Sequence, residues 1–384
     1  MQEQYVQAEH RRMNITTPYL PRRYFRQLLI ICVCAGTLVA CAGKPLSPYT
    51  TETTPMILLP ISKAGIRDDR GRFREIYCAV LDDHGQELPD YRSCETALTR
   101  VGTEPAPTGR DINLGSSRQN FLVAIVPGFG WECFGGWLES EFSGSSHVAK
   151  FGYEVIQLKV DGLSGSENNA RQIHEQITNL PPEQASRPLI LLGYSKGAPD
   201  ILQAVVDYPE LAVKVVAVIS AAGAVGGSAL ANNAEQSQAN ILTKIPKSDC
   251  SEGDGGAVHD MRPTTRQKWL SENSLPEHIS YYSVATFPDP EHMSSVLKSS
   301  YRKLGKIDGR NDSQLIFYNQ LIPGSALVAY VNADHWALAV PISRTHSFVS
   351  TMFTTQNQYP REALFEAVLR YVEEDLARVT TSPQ

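Results

Sequence analysis

Several absences narrow what this chain of 384 residues can do. It has no basic run and no acidic tail: 35 Lys and Arg stand against 41 Asp and Glu, a formal net charge of −6. With no basic stripe, nucleic acid is not an expected partner. No internal repeat is visible. None of the seven cysteines falls at zinc-site spacing, and no glycine-rich turn leads into the Gly-Lys-Ser/Thr of a P-loop. Neither metal nor organic cofactor is therefore expected. The one long apolar stretch, "LLIICVCAGTLVAC", is roughly a dozen residues before its small-residue end, too short to span a bilayer. What remains is the composition of a globular protein with a real core, 42% apolar and 20% charged, in one large domain or two medium ones.

The apolar stretch follows Arg22, Arg23 and Arg26 and ends at Cys41, the order of an export leader. "LVAC" at 38–41 resembles the lipobox of bacterial lipoproteins. That resemblance implies that residues 1–40 are removed, that Cys41 is diacylated, and that residues 41–56 form a lipidated tether. Ala42, standing where Asp would retain the protein, implies the outer membrane of a bacterial envelope, facing the periplasm or the surface. The flank before Arg22 is long, so Met13 is an alternative start, and "RRYF" an alternative twin-arginine address. Without residues 1–40, 30 basic and 39 acidic residues remain (35 less 5 Arg; 41 less 2 Glu), a charge of −9. The acyl chains would then hold the protein to the membrane without electrostatic help.

Cys32 and Cys34 lie in the leader and Cys41 at the anchor, which leaves Cys78, Cys94, Cys133 and Cys250. Four cysteines in an exported chain suggest two disulfides, with three possible pairings. Cys78–Cys94 is favoured by closeness in sequence, and Cys133–Cys250 then follows; buried free thiols are the alternative.

Residues 57–118 read as an N-terminal helical segment. Phe73, Ile76, Tyr77, Val80 and Leu81 recur at helical intervals, and "PDYRSCETALTRVG" offers a second short helix. From residue 119 to 384, continuous apolar runs alternate with helical stretches. The runs are 121–128, 153–160, 188–195, 213–220, 279–286 and 326–333. Strands apolar on both sides imply a mostly parallel sheet flanked by helices. Ile173 and Ile177 mark one helix; Leu364, Val368 and Tyr371 mark the last. Residues 223–277 carry little strand pattern and are too long for an ordinary loop, so they read as a cap insertion.

The chemistry gathers at "LILLGYSKGAPDIL", 189–202. A buried strand stops at Gly-Tyr-Ser-Lys-Gly and a helix follows at once. Gly-x-Ser-x-Gly at that junction is a nucleophile elbow: the serine sits on a strained turn that lifts its Oγ above the sheet, and both glycines let strand and helix touch. Here the chain resembles the α/β-hydrolase family of serine hydrolases, including lipases and esterases, over roughly residues 120–380. The resemblance implies a site in the chain order nucleophile, acid, histidine, with Ser195 first. His335, after the last strong strand in "YVNADHWALAV", matches the family's base, with His346 as the fallback. Asp312, in "RNDSQLIFYNQLIPGS", resembles the family's acid turn, with Asp308 and Asp289 as alternatives. Asp334 is set aside, because neighbours on extended chain point apart. The oxyanion donors implied are the backbone N–H groups of Lys196 and of Phe129, in "PGFGWECFGGW", where Pro127 replaces the family's usual histidine. Trp131, Phe134, Trp137 and Trp336 fall near this mouth, as substrate contacts or as core. The Lys196 side chain reads as a solvated helix residue.

These readings imply a lipid-anchored serine esterase or lipase that cleaves a small ester or a lipid through an acyl-enzyme. Thioesterase, acyltransferase and peptidase chemistry share the same machinery, and oligomeric state is open. The alternative is a non-catalytic lipid-anchored binding module on the same fold, which an intact elbow argues against.

Overall fold

The computed structural model describes residues 65–134, 144–244, 250–346 and 351–381. Cys41, the leader, the tether and Trp137 lie outside the described residues. Seven parallel strands are β1 (Arg67–Asp68), β2 (Leu122–Val126), β3 (Glu154–Gln157), β4 (Leu189–Tyr194), β5 (Val215–Ala221), β6 (Ser280–Thr286) and β7 (Ala326–Val331). Their order is β1-β7-β6-β5-β4-β2-β3. The main helices are α1 (Arg70–His84), α2 (Ser166–Thr178), α3 (Gly197–Asp207), α4 (Pro263–Glu272) and α5 (Arg361–Thr381).

The apolar runs are continuous because both faces are covered. Along β2, Val123 and Ile125 enter a cluster with Phe73 of α1 and Leu369 of α5, whereas Leu122, Ala124 and Val126 enter another with Ile173 of α2 and Ile201 of α3. That alternation is the two-residue period of a strand with helices on either side. Each aliphatic side chain so buried contributes roughly 1.5–3 kcal/mol.

Six strands fall on the apolar runs read from the sequence, β5 passing the end of its run by one residue, Ala221. β1 does not: it is an Arg-Asp pair with no apolar residue, joined to β7 by backbone hydrogen bonds from the Arg67 N–H to the Ser325 carbonyl and from the Asp69 N–H to the Leu327 carbonyl, each at 3.0 Å. The five periodic residues of α1 are all buried, and Cys78 on that helix bonds Cys94, with Cα atoms 5.2 Å apart. The second expected helix shrinks to one turn, Cys94–Ala97. Leu98 then bridges Val331, and the Thr99 N–H donates to the Tyr330 carbonyl at 2.8 Å, so pairing beside β7 replaces the helix. α5 is buried beyond its apolar stripe: Glu366 and Arg370 are enclosed and paired with each other at 2.7 Å. Residues 223–277 carry short helical turns and α4, with no strand among the described residues.

Candidate active site

The sheet order reverses between β2 and β4. From β2 the chain moves outward to β3; from β4 it moves the other way, through β5. Loops leaving the carboxyl ends of these two strands diverge and open a crevice there. Gly128–Gly130 lies at the end of β2 and Ser195 at the end of β4.

Ser195 has φ +54°, a left-handed conformation that an L-residue adopts at a cost of about 1–3 kcal/mol. The elbow is held by its own backbone. The Ser195 N–H donates to the Ala221 carbonyl at 3.1 Å, and its carbonyl accepts from the N–H of Ala224 at 2.9 Å. A Cβ at Gly193 would lie 2.5 Å from the Ala198 nitrogen, and one at Gly197 would lie 2.1 Å from the Val126 carbonyl oxygen. Neither position admits a side chain, so strand, turn and helix close tightly around the serine.

His335 follows β7 and places Nε2 2.9 Å from Ser195 Oγ and Nδ1 2.7 Å from Asp312 Oδ2. Asp312 is wholly buried. Its Oδ2 also accepts from Thr286 Oγ1 at 2.8 Å, and its Oδ1 accepts the N–H groups of Gln314 at 2.9 Å and Leu315 at 2.7 Å. The other candidates are engaged elsewhere: Asp308 pairs with Arg310 at 2.7 Å, and Asp289 meets Asn332 at 2.9 Å. Asp334 caps the turn after His335 by accepting from the Ala337 N–H at 2.8 Å. His346 lines the cavity described below.

Three contributors had no motif to mark them. Thr286 ends β6 as a polar residue after an apolar run, the one signal available in the sequence. Gln320 donates to the Thr286 carbonyl at 2.8 Å, and the Tyr194 hydroxyl donates to the His335 carbonyl at 2.7 Å. Burial pushes the Tyr194 phenol well up, with Asp312 and Asp334 adding to it, so it stays a neutral donor.

The turn after β2 rests directly on the elbow: a Cβ at Gly128 would lie 2.8 Å from Ser195 Cβ. Among the described residues, neither the Phe129 nor the Lys196 N–H donates a hydrogen bond within the protein. The turn is braced from behind. The Gly162 N–H donates to Glu132 Oε1 at 2.7 Å, and Cys133 bonds Cys250 with Cα atoms 4.4 Å apart. Burial pushes the Glu132 carboxyl above the usual range. The Lys196 side chain is not solvated, as its sequence suggested: it is 1% exposed and pairs with Asp200 at 2.8 Å.

Ser195 and His335 open onto a cavity of about 740 Å³ lined mostly by apolar side chains, among them Phe129, Trp131, Phe134, Leu242 and Trp336. Described residues between Ala224 and Leu242, with Val258 and Met261, supply much of its wall. Among the described residues, the groups of three or more His, Cys, Asp and Glu side chains close enough to share a metal ion include neither His335 nor Asp312.

No protein-family model matches the chain, and no curated protein does. Among solved structures, a metagenomic carboxyl esterase is 39% identical, over 84% of this chain and 97% of its own, with a TM-score of 0.78. A lipase from Bacillus licheniformis in its mature form is 18% identical over 65% and 96% of the two chains, with a TM-score of 0.47. A Staphylococcus hyicus lipase is 11% identical over 71% and 100%, again at 0.47. At 39% identity over nearly the whole of that esterase, the chain belongs to the carboxyl esterase family of the α/β-hydrolase fold. It is an enzyme of the serine-hydrolase type.

Proposed function

We propose that this protein hydrolyses carboxylic esters with sizeable apolar acyl groups, by way of an acyl-enzyme on Ser195. The observation that carries this reading is the unbroken hydrogen-bonded chain from Asp312 through His335 to Ser195 Oγ, at the wall of an apolar cavity of about 740 Å³. Ser195 Oγ attacks the ester carbonyl carbon as His335 Nε2 takes its proton. The buried Asp312 carboxylate fixes the imidazole tautomer and stabilises the imidazolium. The N–H groups of Phe129 and Lys196 receive the oxyanion. Collapse expels the alcohol, protonated by His335, and water then releases the acid by the same steps. The cavity's aromatic lining suits an acyl chain more than a charged group.

In this reading the work is done at a bacterial membrane surface, on a lipid anchor at Cys41 with residues 41–56 as tether. The support is the basic, apolar "LVAC" leader. The test of the chemistry is hydrolysis of p-nitrophenyl esters of graded chain length: activity should persist into medium and long acyl chains and vanish in Ser195→Ala. No cleavage at any length would remove the proposal. For the anchor, Cys41→Ser should abolish palmitate labelling in the native host; unchanged labelling would refute it.

A further inference from the structure

We propose that the buried Lys196–Asp200 ion pair is a positioning device that fixes the backbone N–H of Lys196 as an oxyanion donor; this rests on the reading of Ser195 as the nucleophile. Lys196 Nζ donates to both oxygens of Asp200, at 2.8 and 2.9 Å. Asp200 Oδ1 also accepts from Ser166 Oγ, and Oδ2 from Asn169 Nδ2, each at 2.7 Å. Both charged side chains are 1% exposed.

Stability does not explain the pair. A buried ion pair of this kind is on average no more stabilising than apolar side chains of equal volume. The lysine is also on the wrong side of the helix field. It opens α3, where the macrodipole disfavours a cation, while Asp200 in the first turn is where an anion belongs. What the arrangement does supply is constraint. Residue 196 is adjacent to the nucleophile and begins the helix, with φ −59° and ψ −27°. Its side chain is tied at the far end to a carboxylate that α2 grips with two more hydrogen bonds. The backbone of residue 196 is therefore held both at the elbow and through its own side chain.

The same network reaches the segment that carries Val258 and Met261, two residues of the cavity lining. The Ser166 N–H donates to Asp260 Oδ2 at 2.7 Å, and the neighbouring Gly165 N–H donates to Asp254 Oδ1 at 2.7 Å. Gly162, three residues earlier, is the group that braces the Phe129 turn through Glu132. Residues 162–169 thus join the supports of both donors, and Lys196–Asp200 is the link to one of them.

The test compares Lys196→Met, Asp200→Asn, Lys196→Arg and the double variant Lys196→Met/Asp200→Leu. Rates are measured per active site, titrated with a fluorophosphonate, beside the melting temperature and inhibition by an alkyl boronic acid, whose tetrahedral adduct occupies the oxyanion position. In Lys196→Met and Asp200→Asn, kcat should fall about 10- to 100-fold with KM within about twofold, and boronate affinity should weaken by the same factor. The double variant should regain thermal stability and not kcat, and Lys196→Arg should restore most of kcat. A double variant with wild-type kcat and boronate affinity, or loss confined to melting temperature and titratable sites, would overturn the positioning role. If Ser195→Ala still hydrolyses ester, the reading of the site fails instead.

Discussion

At the scale of single residues, the three carboxylates near the end of the chain differ in what they touch. Asp312 accepts from His335, Thr286 and two backbone N–H groups, whereas Asp308 and Asp289 serve a surface arginine and an asparagine. Asp312→Asn should lower kcat by about 10⁴, through the wrong imidazole tautomer, and Asp308→Asn and Asp289→Asn should stay within about twofold of wild type. Steady-state kinetics on one soluble ester checks all three. Chain order alone does not rank these aspartates, because all three lie between the last two strands; the contacts that set Asp312 apart, with Thr286 and the turn at Leu315, join residues that no local pattern links. The burial of Lys196 is not legible in the sequence either. Its partner stands four residues on, the spacing of a helical ion pair, but burial of that helix face is set by α2, far away in sequence.

At the scale of elements, the turn 128–134 has little room to move against the elbow. A methyl group at Gly128 would meet Ser195 Cβ at 2.8 Å. Gly128→Ala should therefore fold, with near-normal circular dichroism, and lose most ester hydrolysis, because the turn bearing Phe129 must move away. The Cys133–Cys250 bond closes a loop of 117 residues behind that turn. Chain entropy puts its loss at about 4–5 kcal/mol, more than for the short Cys78–Cys94 loop, at roughly 3 kcal/mol. The Cys133→Ser/Cys250→Ser variant should show both a lower melting temperature and a lower kcat, and Cys78→Ser/Cys94→Ser only the first. Six of the seven strands were legible because continuous aliphatic runs have no other use in a sheet covered on both faces. β1 was not, since two polar residues carry no period, and the helix expected after Cys94 lost to pairing beside β7.

At the scale of the molecule, α1, the helical turn at Ser145–Ala149 and α5 meet at one carboxylate. Glu366 Oε2 accepts from His84 Nε2 and His147 Nε2, each at 2.7 Å, and Oε1 faces Arg370. Burial pulls the His84 imidazole down, but its hydrogen bonds to Asp83 and Glu366 outweigh that, and the net shift is upward. A histidine raised in the folded state adds stability that is complete below its unfolded value near 6.5 and is lost as pH rises through the folded value. The melting temperature should thus decline on going from about pH 6 to pH 8, and His84→Gln should flatten that decline. An unchanged slope would show that His84 does not couple to folding.

In this enzyme one serine, at one strained turn, should owe its reactivity to His335. The most direct measurement is covalent: incubate the wild type with a fluorophosphonate, digest, and map the adduct by mass spectrometry. The expected result is one label per chain on Ser195, suppressed in His335→Ala while the fold is retained by circular dichroism. The single and double variants of Ser195 and His335 should be almost equally inactive, since the two act as a unit. A label on another residue, or ester hydrolysis that continues after Ser195 is fully modified, would show that Ser195 is not the nucleophile.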